Sequence, residues 1–261
     1  MKKRVLLILA TVAALVLVLT GCSNSSSSET KTKGTLTIGL EGTYAPYSYR
    51  ENGKLTGFEV ELGKDIAKEM NLKAKFVPTK WDSLIAGLNS NTFDMVLNNL
   101  AESKDRKAHY IFAQPYVNSQ PVIVTKDSDN SITSVKDLKG VKMAEGTGTD
   151  NYNNAKKFGG DIVPSSDFQT TMSMIDQGRV KATINSKEAF LTWQKDSKSK
   201  SDNLKYQVIP AKDLKASKIA PMFNKKSTKL RGDVNKAMDK LYKDGTMKRL
   251  SNKYFGEDIT K

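Results

Sequence analysis

The sequence predicts an α/β fold of two lobes, each built around a parallel sheet. Three observations carry this. Short strand-like runs alternate with segments whose apolar residues recur at helical spacing, the pattern of βαβ units. The alternation passes through two similar cycles of about 90 residues, the size of a lobe. No shorter period repeats, which argues against a solenoid.

The elements follow in order. Residues 36–40 read as a short buried strand, and 58–70 (FEVELGKDIAKEM) place apolar side chains on one helix face. Residues 74–77 are a strand, 81–89 a helix and 95–98 (MVLN) a strand. Beyond Pro115, residues 120–125 (QPVIVT) read as a strand. The second cycle has a short helix at 134–138, a strand at 141–144, a helix at 151–157 and a strand at 161–163. It continues with a helix at 167–177, a strand at 182–185 and a helix at 187–194. A polar stretch near residue 199 (SKSKSDN) is a loop. Residues 219–224 form a final strand, and amphipathic helices at 230–243 and 246–254 flank Gly245.

The N-terminus speaks to compartment rather than fold. Lys2, Lys3 and Arg4 precede an apolar run over residues 5–19 that only Thr11 interrupts. This is a secretory signal, too short and too one-sided for a comfortable membrane span. The competing reading is a signal anchor that stays in the membrane. Leu19-Thr20-Gly21-Cys22 resembles the cleavage site of bacterial lipoproteins, which implies cleavage before Cys22 and acylation of its sulfur. Cys22 is the single cysteine, and an odd cysteine in an exported chain calls for such an explanation. Residues 1–21 are therefore assigned as the lipoprotein signal peptide. Residues 22–33 are the lipidated cysteine and a flexible tether, because 23–33 (SNSSSSETKTK) holds no apolar residue. The implied place is the extracytoplasmic face of the cell membrane. The formal net charge is +14, of which Lys2, Lys3 and Arg4 supply three, leaving +11. The lysines are scattered among acids over helix faces, so the balance fits an anionic membrane or cell wall, not nucleic acid.

The body lacks the groups of common catalysis. His109 is the only histidine, and no cysteine lies beyond Cys22, which excludes histidine triads and zinc sites. No metal and no cofactor is expected. Gly146-Thr147-Gly148 lacks the third glycine of a dinucleotide fingerprint. Its alternatives are a plain tight turn and a backbone N–H cradle for an anion, set between strand and helix. Residues 40–49 (LEGTYAPYSY) put one carboxylate and three tyrosines around a glycine and a proline, more aromatic surface than a turn requires.

Together these residues resemble a family, the solute-binding proteins of polar amino-acid ABC transporters. The resemblance lies in residues 36–47 (LTIGLEGTYAPY), 53–61 (GKLTGFEVE), 78–82 (PTKWD), 104–107 (KDRK) and 135–140 (VKDLKG). The ending at 254–261 (YFGEDITK) is similar to the cystine-binding branch. It implies a two-lobed periplasmic-binding-protein-like fold with two hinge strands and a ligand cleft. The crossings are placed near 116–120 and 215–219. Residues 34–117 and 219–261 are assigned to one lobe and 118–218 to the other.

The resemblance also implies site residues. Arg106 pairs with the ligand α-carboxylate, for which a guanidinium fork is suited; without the family it would read as part of a solvated charge run. Thr147 and Gly148 offer backbone N–H groups to the same carboxylate, beside Thr149. Tyr44 and Trp81 are aromatic walls, Trp81 otherwise being a core residue at a helix start. Asn98, Asn99, Asn185 and Ser186 stand at strand carboxyl ends, where ligands bind in open α/β sheets. Two departures from the family matter. Ala101 replaces a hydroxyl residue five positions before the arginine, leaving its backbone N–H. Ser186 replaces the acid that holds the ligand α-ammonium. Glu41 is the first choice to take over that role, ahead of Glu145 and Glu102, whereas Glu188 is expected to face solvent. Tyr47 and Tyr49 are expected to pack structurally.

The implied function is an amino-acid receptor, for L-cystine or another polar amino acid, that is not an enzyme. It captures ligand by hinge closure and works as a monomer with a membrane permease and its cytoplasmic ATPase. The rival readings are a basic cell-surface adhesin and a cleft enzyme of dehydratase type on the same fold.

Overall fold

The computed structural model describes residues 30–195 and 203–260. The signal peptide, Cys22, most of the tether and nearly all of the polar loop near residue 199 lie outside the described residues.

The first lobe is built on a five-stranded sheet. Strand β1 (Thr35–Leu40) lies inside it, next to the edge strand, and is buried along all but its first residue. It pairs in parallel with β4 (Lys73–Pro78) on one side and with β5 (Met95–Val96) on the other. A hairpin of β2 (Tyr49–Glu51) and β3 (Lys54–Thr56) precedes helix α1 (Phe58–Glu69). Helix α2 (Trp81–Asn89) connects β4 to β5. The short helix α3 (Lys104–His109) leads into β6 (Tyr110–Phe112), the sheet's edge. Helix α1 buries Phe58, Leu62 and Ile66 on one face of the sheet, while Leu84 and Leu88 of α2 pack with Phe93 and Val96 in a separate cluster.

The second lobe repeats the plan. Strand β8 (Pro121–Lys126) runs antiparallel to β11 (Ala182–Ser186) and to β12 (Leu204–Val208). Strand β9 (Lys142–Glu145) runs parallel to β10 (Asp161–Pro164) and to β11. A 3-10 turn at Val135–Leu138 stands where the short helix was expected. Helices α4 (Asp150–Lys157), α5 (Phe168–Asp176) and α6 (Lys187–Lys195) cover the two faces, with core clusters around Phe190 and around Leu138.

Two strands cross between the sheets. β7 (Val117–Ser119) and β13 (Ser217–Ile219) pair antiparallel, Ile219 opposite Val117 and Ser217 opposite Ser119. Strand β14 (Met222–Asn224) then rejoins the first sheet, antiparallel to β5 and β6. Helices α7 (Thr228–Lys243) and α8 (Thr246–Phe255) pack on the same core as α1.

Three expectations need correction. The sheets are mixed, because the returning strands enter antiparallel. The single strand expected over 219–224 is two strands, parted at Ala220–Pro221 where the chain leaves the crossing ribbon; proline cannot donate to a ladder. The segments at β2–β3, α3–β6 and β12 were not read as elements at all.

Candidate functional site

The loop after β1 is pinned at several points. Tyr44 and Ser48 exchange backbone hydrogen bonds of 2.7 and 2.9 Å, and the Ser48 hydroxyl accepts from Gly42 N–H at 3.1 Å. The carbonyls of Pro46 and Tyr47 accept from Phe58 and Glu59 N–H, both at 2.9 Å, which satisfies orphan donors at the start of α1. Gly57 makes this approach possible. Its φ is 123°, and a Cβ there would lie 2.3 Å from the Tyr47 carbonyl oxygen. The loop thereby holds Tyr47 in the core and turns Tyr44 to the other lobe.

Tyr44 packs its ring 5.2 Å from Phe168 and donates its hydroxyl to Asn185 Oδ1 at 2.9 Å. Tyr47 is fully buried and donates to Glu188 Oε1 at 2.7 Å. Glu188 therefore does not face solvent, as the sequence suggested. It is 8% exposed, in the first turn of α6, where a tyrosine from the opposite lobe meets it. Burial pushes its carboxyl up, against hydrogen bonds from Ser119 and Tyr47.

Glu41 and Asn98 are locked together. Asn98 Oδ1 accepts from Glu41 N–H and Asn98 Nδ2 donates to Glu41 Oε2, both at 2.7 Å. Burial raises the Glu41 carboxyl, Asn98 opposes, and the charges of Asp167 and Asp82 add to the rise. Asn99 adopts φ 48° and donates its N–H to Glu59 Oε1 at 2.6 Å. Tyr116 donates to the same oxygen. Glu59 is fully buried, and burial lifts it to about 7.

Arg106 stands in α3, whose start is capped by Ser103. Its Nη1 donates to Ala101 O at 3.1 Å and to Asp150 Oδ2 of the other lobe. The guanidinium lies over the Trp81 ring, 5.6 Å from its centroid. Ala101 forms a bridge with Ile219 of the crossing strand β13, so the arginine is braced against the hinge.

The second lobe contributes the loop after β9. Thr149 caps α4 by accepting from Tyr152 N–H at 3.0 Å. Glu145 ends β9, 2% exposed, and accepts from Ile184 N–H at 2.7 Å and from the Thr183 hydroxyl at 3.1 Å. Burial nonetheless pushes it up to about 8. Asp167 caps α5; burial opposes its ionisation, but donors from Thr170 and Ser166 hold it below the usual carboxylate range. Ser186 is 5% exposed, and its hydroxyl has no hydrogen-bond partner.

Between the lobes lies a cavity of about 690 Å³, within the ~300–1,000 Å³ common for small-molecule sites. Its wall includes Glu41, Tyr44, Trp81, Asn98, Asn99, Ala101, Thr147, Thr149, Asn185 and Ser186. Arg106 and Gly148 are not on the wall; Arg106 is in contact with Trp81 and Asp150, which are. Sequence reasoning missed Asp82, Asp150, Asp167 and Phe168, which also line it. Asp167 had a visible cue in the SSDF cap pattern, Asp150 none beyond its place after the glycine turn. The lobes are joined over the cavity by Trp81 Nε1, which donates to Thr147 O at 3.1 Å, and by the Tyr44–Asn185 bond. Behind it, Lys187 and Glu257 pair at 3.6 Å. Among the described residues no group of three His, Cys, Asp or Glu could hold a metal ion, and no helix is long and apolar enough to cross a membrane.

Residues 36–257 match the bacterial extracellular solute-binding proteins, family 3. The chain belongs to this family. It is 36% identical over 275 residues, covering both chains in full, to the L-cystine-binding protein TcyA of Bacillus subtilis (strain 168). Among solved structures, an ancestral arginine-binding protein bound to glutamine matches at TM-score 0.79 and 30% identity, over 87% of this chain and all of that one. The L-cystine solute receptor of Neisseria gonorrhoeae, in its unliganded open conformation, has higher identity, 34%, yet a TM-score of 0.60, over 87% and 95% of the two chains. That inversion fits lobes drawn together here by the contacts across the cavity. Family members are extracytoplasmic binding proteins.

Proposed function

We propose that this family 3 protein is the lipid-anchored amino-acid receptor of an ABC importer, with L-cystine as the first candidate ligand. The observation that carries the proposal is the interlobe cavity, with an arginine behind one wall and aromatic rings from both lobes. The identity to an L-cystine-binding protein over the whole chain supports the ligand. Arg106 takes the ligand carboxylate, joined by the N–H groups of Thr147 and Gly148. Tyr44 and Trp81 flank the side chain, and Asn98, Asn99, Asn185 and Ser186 supply polar contacts. For the ligand ammonium the cavity offers Glu41, favoured by the sequence, and Asp150.

Ligand that touches both lobes favours the closed arrangement by its higher affinity for it. A membrane permease with a cytoplasmic ATPase then receives the ligand. Acylated Cys22 holds the protein at the membrane, with residues 23–33 as tether. The chain binds its ligand without turning it over. A thermal-shift screen against the proteinogenic amino acids and L-cystine tests the reading, since a ligand that binds only the folded state raises its melting temperature. A flat response to all of them overturns it.

A further inference from the structure

We infer that Asp150 receives the α-ammonium of the bound amino acid, beside the arginine that receives its carboxylate. The inference rests on the amino-acid reading above and sharpens it. In an α-amino acid both charged groups hang on one carbon, so their receptors must be neighbours. Arg106 and Asp150 are in hydrogen-bonding contact, and Asp150 is the only acid Arg106 pairs with among the described residues. Both hydrogen bonds of the guanidinium run through Nη1. Its Nε and Nη2 edge is left for the two oxygens of a carboxylate. Asp150 likewise commits only Oδ2, and it lies on the cavity wall.

Of the other acids on the wall, Glu41, Asp167 and Glu145 already accept from protein donors, and Asp82 is not paired with Arg106. Glu41 Oε2 is bound to Asn98, and burial favours its neutral form. Asp167 accepts from Thr170 N–H and from the hydroxyls of Ser166 and Thr170 as the cap of α5. Glu145 accepts from Ile184 N–H and Thr183. Ser186 can accept hydrogen bonds but carries no charge, and a cation taken into a cleft needs a counter-charge. Asp150 has a further consequence. It belongs to the lobe opposite Arg106, so one zwitterion held by both ties the lobes together, which couples recognition of the amino-acid head to closure.

The test is calorimetry on the purified protein and on Asp150→Asn, which keeps shape and removes charge. The probes are L-cystine and 3,3′-dithiodipropionate, the same disulfide skeleton with neither ammonium. L-arginine and 5-guanidinopentanoate form a second pair. In the wild type the ammonium-free probe binds roughly 30-fold weaker or worse, as expected for loss of one partner of a desolvated charge pair. In Asp150→Asn the amino acid loses a similar factor, and the gap between the paired probes shrinks about tenfold or more. A disturbed α4 would weaken both probes alike and leave the gap intact, which overturns the inference. Tighter binding of the amino acid also overturns it, because Asp150 would then be a competitor for Arg106. So does a gap that closes in Glu41→Gln and persists in Asp150→Asn. If the wild type binds no amino acid, the amino-acid reading itself falls, and this inference with it.

Discussion

Arg106→Ala removes three contacts at once: the pair with Asp150, the hydrogen bond to Ala101 O and the guanidinium's seat over the Trp81 ring. The consequences for folding and for binding differ in size. Asp150 loses its partner, but its side chain is 25% exposed and lies in the first turn of α4, where the helix dipole favours a carboxylate. It can rehydrate, so the fold loses about 1 kcal/mol, a melting shift of about 2–4 °C for a body of this size. The ligand loses much more. The Arg106 side chain is 11% exposed, so its charge is largely desolvated. Truncating one partner of such a pair costs about 2–5 kcal/mol, roughly 30- to 5,000-fold in Kd. Calorimetry with L-cystine, beside a thermal melt followed by circular dichroism, separates the two effects. A folded variant whose affinity stays within about threefold of wild type refutes the role given to Arg106.

Three further predictions follow from single contacts. Glu145 is raised by burial from 4.5 to about 8, so its stabilising contribution is complete below pH 4.5 and is lost as pH climbs to about 8. The loss amounts to about 5 kcal/mol at most. Glu145→Gln keeps an acceptor for Ile184 N–H and Thr183 and flattens the fall in melting temperature over about pH 5–9, leaving the part due to Glu59; a wild-type slope contradicts the buried acid. Trp81→Phe loses the bond to Thr147 O, about 1 kcal/mol or roughly fivefold in ligand affinity. The ligand-linked change in tryptophan fluorescence vanishes in that variant and survives Trp193→Phe; the reverse pattern contradicts closure at Trp81. Gly57→Ala drives a Cβ to within 2.3 Å of Tyr47 O at φ 123° and destabilises the fold by about 3 kcal/mol or more, so an unchanged urea midpoint counts against the pinned loop.

Much of the architecture was legible because the parallel strands and their helices carry strong local periodicity. Helix α2 came out residue for residue, and β1, β9 and β11 to within a residue at each end. The hairpin β2–β3 was overlooked despite Asn52-Gly53, a strong two-residue turn signal, with φ 49° and 76°. Its arms are three residues long, too short for period-two alternation to register. Pro221 likewise announced the break between β13 and β14. The aromatic surplus at 40–49 was readable as unusual, but its division of labour was not. Tyr47 is structural because Gly57 lets α1 close on it, and Tyr44 reaches the cavity because the loop doubles back at Ser48. Two of the lapses at the site share one cause. Glu188 was expected to face solvent on its own helix, and Asp150, just before the helix expected at 151–157, was not singled out. Each is defined by a side chain from the other lobe, Tyr47 for one and Arg106 for the other, and no local pattern encodes that meeting.

If the interlobe cavity is an amino-acid receptor, it binds a free amino acid in solution. Isothermal titration of the purified protein with L-cystine, L-arginine and L-glutamine addresses this most directly. Saturable binding of one ligand per chain is expected for at least one of them. Unfolding free energy is expected to rise by about 2.7 kcal/mol when that ligand is held at 100 times its Kd. No heat of binding and no change in melting temperature with any of the three would contradict the receptor reading.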